Sequence, residues 1–150
     1  DAWRESIIAP VLYAVDPPYS ELSQLADKAT ADPDDLKRAI DAIAGLTAVD
    51  GATIINDRYD LLAFGAKISR RRGQTPVEQV VVTEPIEGSA RDMMTPAQLG
   101  GTRHLSAAQF VHDQRDAMAL VASQDGRFTI FKWSPREAFV HAHRVDALLL

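Results

Sequence analysis

The chain has 150 residues, 46% of them hydrophobic and 25% charged, with a net charge of −5 at pH 7 and no cysteine. That length supports one domain with a real core, and the negative balance argues against a general nucleic-acid-binding surface. Absent cysteines exclude disulfides and thiolate metal sites, and no apolar run approaches the ~18 residues of a membrane span.

No signal peptide is read at the start, and the absence of cysteine fits an expected cytoplasmic home. The chain opens within helical periodicity, which suggests a piece of a longer polypeptide. Trp3, Ile7, Ile8, Val11 and Leu12 stand at roughly helical spacing over residues 2–14, with Pro10 splitting the run. Asp16-Pro17-Pro18 is a breaker, after which Ser20 can cap a short helix carrying Leu22, Leu25 and Ala26. Asp32-Pro33-Asp34-Asp35 is a stronger start, with Leu36, Ile40, Ile43 and Ala44 as the buried stripe and Gly45 as the end. These helices form a scaffold lead-in over residues 1–45, ahead of a core over 46–145.

Asp50-Gly51 opens a strand from Ala52 to Ile55, Asn56-Asp57-Arg58 turns, and Tyr59 to Ile68 returns with Leu61, Leu62, Phe64 and Ile68 for packing. Gly65 inside that strand predicts a bulge or a close backbone approach. Residues 69–99 read as a long insertion: a basic tip at Arg70-Arg71-Arg72, a strand from Val77 to Thr83, then a loop from Glu84 to Leu99 containing Met93-Met94. Such a connection serves as a lid, an interface or plain decoration.

Next comes Gly100-Gly101-Thr102-Arg103-His104-Leu105-Ser106-Ala107-Ala108-Gln109-Phe110, a glycine pair running into a helix that extends to about Gln114. Leu105, Ala108 and Val111 are expected on its apolar side. Glycines let a backbone approach a ligand, and the free N–H groups of a helix start attract anions. A hydroxyl, a guanidinium and an imidazole in that first turn suit an oligophosphate. The bland reading is a glycine turn capped by Thr102 with Arg103 solvated. A strand from Ala117 to Ser123, a hairpin turn at Asp125-Gly126 and a strand from Arg127 to Trp133 follow. In the latter, Phe128 and Ile130 are expected inward, with Thr129 and Phe131 outward. Pro135 breaks the run, and a last strand spans Phe139 to Val145. Strands separated by helices, with hairpins at both ends, predict an α/β domain with a mixed central β-sheet flanked by helices.

The set Asp50-Gly51-Ala52, then Gly101-Thr102-Arg103-His104-x-Ser106-Ala107, then Ser123 at a strand end resembles the diadenylate cyclase domain family. That family holds the bacterial cyclic di-AMP synthases and the nucleotide-binding domain of the DNA-integrity scanning protein. The likeness covers roughly residues 36–133; its second motif is fairly specific, whereas Asp-Gly-Ala alone is weak. It implies the diadenylate-cyclase fold and a bacterial second-messenger setting, with ATP or a cyclic dinucleotide as ligand. Thr102, Arg103 and His104 would hold phosphates, Gly101 would give backbone access, and Ser106 would face the adenine. Gly51, Ala52 and Gly65 to Ile68 would border the nucleotide, and Ser123-Gln124 would meet a phosphate. Asp50 would prepare the ribose 3′-hydroxyl as base or through Mg²⁺ or Mn²⁺, which makes Asp50, Arg103 and His104 the catalytic candidates. Making the cyclic product would need a face-to-face homodimer, with no membrane partner.

Three departures from the family stand out. Leu105 occupies the place of a second arginine found after the histidine in many active members. Gln124-Asp125 replaces glutamates after the serine, and Gly45-Leu46-Thr47-Ala48-Val49 lacks the usual lead-in to the aspartate. Binding groups are kept while the catalytic charges are thinned, which implies a sensor or regulatory domain. A working diadenylate cyclase is the alternative, and a non-catalytic interaction module a third. Elsewhere, His141-x-His143 puts two imidazoles on one strand face without an apparent third ligand, so a surface strand is preferred over a metal pair. Trp3 and Trp133 read as packing residues.

Overall fold

The structure is a computed structural model that describes residues 5–8, 37, 41, 44–45, 50–58, 61–84, 91–123 and 126–145. The expected helix on residues 20–26 lies outside them. Of the one after Asp32, Lys37, Asp41, Ala44 and Gly45 are described and helical, with Lys37 Nζ donating to Asp41 Oδ2 at 2.6 Å. The chain forms two compact units, one from Asp1–Ile7 with Ile68–Leu150, the other from Ile8–Lys67.

The helix expected over residues 2–14 is corrected at its described part. Glu5 and Ser6 form a tight turn and Ile7–Ile8 is a two-residue strand, β1. Two adjacent β-branched residues favour extended backbone over a helix. Strands β2 (Ala52–Ile55) and β3 (Leu61–Ile68) pair antiparallel, and the small sheet has the order β1-β3-β2. Their register slips twice, between Ala52 and Ile54 and between Ile54 and Ile55. Gly65, at φ 60°, lies in the first slip, between Ala63 and Ala66, and Gly51 just ahead of β2 has a φ of 118°. A Cβ on Gly51 would sit inside the Gly65 backbone, so the expected close approach at Gly65 is a glycine-to-glycine contact.

The larger unit is built on five strands: β4 (Val80–Thr83), β5 (Asp92–Met94), β6 (Met118–Ala122), β7 (Phe128–Ser134) and β8 (Phe139–Arg144). Their order is β5-β4-β8-β7-β6, with β4 parallel to β8 and the other pairs antiparallel, which makes a mixed sheet. Helices α1 (Pro96–Gly100) and α2 (Thr102–Asp113) pack on each other, and α2 crosses β6, β7 and β8. Together these elements define a mixed α/β protein. Among the described residues no helix is long and apolar enough to cross a membrane.

The sheet's α2 face is the core, where Ala107, Ala108 and Val111 meet Val80, Val82, Phe131, Trp133, Val140 and Ala142. Phe131 is fully buried, so the expected outward direction of Thr129 and Phe131 is reversed. Both flanking strands read as apolar on either face, so alternation alone could not choose. The helix chose, because Phe131 pairs with Ala119 and Ala142 and fills the space beneath α2. Residues 84–99 also differ from the expected loop, since β5 and α1 arise there. Thr95 caps α1, Pro96 takes its first position, and Met93–Met94 pair with Val81 and Val80. The strand expected from Val77 starts at Val80. Val77 instead sits in the core with its N–H donated to Gln109 Oε1 at 3.0 Å.

Candidate functional site

The start of α2 is set by its two glycines, each for a different reason. Gly101 is the N-cap at φ 76°, ψ −150°, a conformation that only glycine adopts without strain. Its N–H closes α1 on Ala97 O at 2.9 Å, and its C=O receives the first bond of α2 from Leu105 N at 3.2 Å. Having no side chain, Gly101 leaves the first-turn amides of α2 without a capping group. Gly100 is required by a neighbour, because a Cβ there would fall within the His104 ring.

Thr102 and Arg103 are exposed in this first turn, Ser106 is half-buried, and no carboxylate pairs with Arg103 among the described residues. The expected stripe of Leu105, Ala108 and Val111 is corrected at its first member. Leu105 is 40% exposed, while His104, at 2%, joins Ala107, Ala108 and Val111 on the buried side. Those four positions follow i, i+3, i+4, i+7. The His104 ring meets the edge of Phe131 at 5.8 Å, and its Nδ1 lies 3.1 Å from Gly100 O. A carbonyl can only accept, so Nδ1 carries the hydrogen.

The five-residue strand β6 follows α2 after the short connection 114–117, and Ser123 stands just past its end. Ser123 N donates to Arg127 O at 2.8 Å and Gly126 N to Ser123 O at 3.1 Å, closing the hairpin; Gln124 and Asp125 lie outside the described residues. Ile68 ends β3, and the next amide, of Ser69, donates to Ser6 O at 2.8 Å.

Asp50, Gly51 and Ala52 belong to the smaller unit. Asp50 is exposed, Gly51 packs on Gly65, and Ala52 pairs with Ala66. Beside them Thr53 Oγ1 is buried with no hydrogen-bond partner. Among the described residues no group of three or more histidines or carboxylates could hold a metal ion.

A polar cluster that the sequence did not flag fixes the far half of α2. Gln109 Nε2 donates to Thr75 O at 3.1 Å and to Asp113 Oδ1 at 2.9 Å, while Asp113 Oδ2 accepts from Arg71 N at 2.7 Å. Gln114 Nε2 donates to the buried Ser6 Oγ at 2.9 Å. Residues 71–77 thus lie along the half of α2 remote from Thr102. The only sequence signal was the i, i+4 spacing of Gln109 and Asp113. On the opposite sheet face, His141 and His143 stand 5.7 Å apart; His141 Nε2 contacts Glu137 Oε2 at 2.9 Å and His143 Nδ1 contacts Thr83 Oγ1 at 2.6 Å. Glu137 is held in turn by Arg91 Nη1 at 2.7 Å. Each imidazole serves a structural contact there.

No family model matches this chain, and neither a curated protein nor a solved structure matches it.

Proposed function

We propose that the domain binds an adenine nucleotide, ATP or a cyclic dinucleotide, through the start of α2, and acts as a sensor or regulatory module of the diadenylate-cyclase fold. One observation carries the reading: a glycine-capped helix start whose amides lack a capping side chain, flanked by an exposed Thr102 and an exposed Arg103 that pairs with no carboxylate among the described residues. The helix dipole places roughly half a positive charge there, and the guanidinium adds a bidentate donor for phosphate oxygens. Ser106, half-buried one turn on, adds a hydroxyl to that end of α2, and Ser123 is assigned to a phosphate by resemblance alone.

Two features favour sensing over turnover. Leu105 is exposed beside Arg103 where many cyclases carry a second arginine, so this turn offers one guanidinium for the charge of a leaving pyrophosphate. Asp50, assigned to the ribose by resemblance alone, is exposed and belongs to no group of three or more histidines or carboxylates among the described residues. Losing one charge-neutralising group costs about 10²–10³ in rate and leaves binding largely intact. Calorimetry tests the reading: Arg103→Ala should weaken ATP binding by about 1.5–3 kcal/mol. A wild-type protein that binds neither ATP nor a cyclic dinucleotide would refute it.

A further inference from the structure

We propose that His104 is a positioning residue that moulds the glycine turn rather than a group that touches the nucleotide; this rests on the nucleotide-binding reading above. Four observations converge. His104 is 2% exposed and occupies the first position of the buried stripe of α2. Its ring meets the fully buried Phe131 of β7 in a T-shaped contact. Nδ1–H donates to Gly100 O, one of the carbonyls that the last turn of α1 leaves without a helical partner. The ring also fills the space that a Cβ on Gly100 would need.

The consequence is a three-part unit. Gly100 admits the imidazole, the imidazole ties the end of α1 to the start of α2, and the tie fixes Gly101 in its left-handed conformation. That conformation starts α2, whose first-turn amides carry no capping side chain. A ring committed to Gly100 and Phe131 gives the site direction, and Arg103 gives it charge. Ligand affinity should therefore depend on a neutral donor at position 104 and not on a cation.

The test is ATP calorimetry at pH 6 and pH 8 on wild type, His104→Ala and His104→Gln, with nitrogen-15 spectra of the imidazole. Positioning predicts that His104→Ala loses about tenfold in affinity, whereas His104→Gln, still a donor of similar reach, stays within about threefold of wild type. Wild type and His104→Gln should then share one pH profile, and the spectra should report the Nδ1–H tautomer. A glutamine variant as weak as alanine, with wild type tightening on acidification through an imidazolium, would overturn the proposal in favour of a direct phosphate contact. A wild type that binds no ATP defeats the nucleotide reading instead. Positioning is then decided by unfolding: Gly100→Ala should cost far more in wild type than in His104→Ala, and equal costs would refute it. If those variants fail to fold, the tautomer measured in wild type decides.

Discussion

The backbone N–H of Arg71 donates to Asp113 Oδ2 at 2.7 Å, tying the connection after β3 to the last turn of α2 across 42 residues. The Asp113 side chain is fully buried and also meets Gln109 Nε2 at 2.9 Å and His112 Nδ1 at 3.0 Å. Removing the carboxylate would strand several donors in a low-dielectric site. Asp113→Ala should therefore destabilise the protein by about 2–3 kcal/mol, measured by urea unfolding. Hydrogen exchange should show the loss of protection at Arg71 and Val77, with the start of α2 less affected.

Stability should fall with acid in two stages. His143 titrates below the ordinary imidazole value, first because burial disfavours its charged form and second because His141 stands beside it. A lowered folded pKa means that the unfolded chain takes up the proton first, so stability declines as pH drops below about 6.5. Glu137 also titrates below its ordinary value, chiefly through its hydrogen bond from Arg91, opposed by desolvation and helped by Arg91's charge and by His141. Its contribution is complete above the ordinary glutamate range and is lost as pH falls through the folded value. Thermal melts from pH 8 to pH 3 should show both declines. His143→Gln should remove the first alone.

Gly51→Ala should be costly where Asp50→Asn is not. At φ 118° an alanine is strained, and its Cβ would enter the Gly65 backbone. Strain of this kind costs about 1–3 kcal/mol, and the collision adds to it. Asp50 is exposed, so its amide variant should stay within about 0.5 kcal/mol of wild type. Denaturant unfolding of the two variants separates the glycine's structural part from any chemical part played by the aspartate.

Strong local signals were legible from the chain. Val80 to Thr83, Met118 to Ala122 and Phe139 to Arg144 are rich in β-branched or apolar residues and begin or end within three residues of expectation. The glycine pair and the helix from Thr102 were equally plain. What escaped depends on partners distant in sequence. Whether Phe131 or Ile130 faces inward is decided by α2, packed on the sheet from outside the strand. Leu105 and His104 exchange their expected roles because Gly100 and Phe131 offer the imidazole a hydrogen bond and an edge contact that leucine could not use. Asp92 to Leu99 looked like a loop because a three-residue strand and a five-residue helix are too short to show periodicity. At the candidate site, the residue types of Thr102 and Arg103 were readable, but the reason for Gly100 was not, since it lies in a ring four residues away.

The last prediction concerns turnover. Closing a cyclic dinucleotide from two ATP molecules forms two phosphodiester bonds and releases two pyrophosphates, so two bound nucleotides must face each other in opposed orientation. Two copies of this chain related by a twofold axis would meet that need, and a lone copy holding one ATP cannot. Each α-phosphate must also have its charge offset as pyrophosphate leaves. Here the helix start provides Arg103 and its amides, while Leu105 provides nothing. Residues 1–150 should therefore bind ATP yet form little or no cyclic di-AMP when ATP is supplied with Mn²⁺, even at concentrations that force self-association. Chromatography of the reaction products checks this. Product that requires Mn²⁺ and disappears in Asp50→Asn would establish a cyclase and refute the sensor reading. Equal inactivity of wild type and Asp50→Asn, with equal ATP affinity, would leave Asp50 as a turn residue at the head of β2 and the start of α2 as a binding site without chemistry.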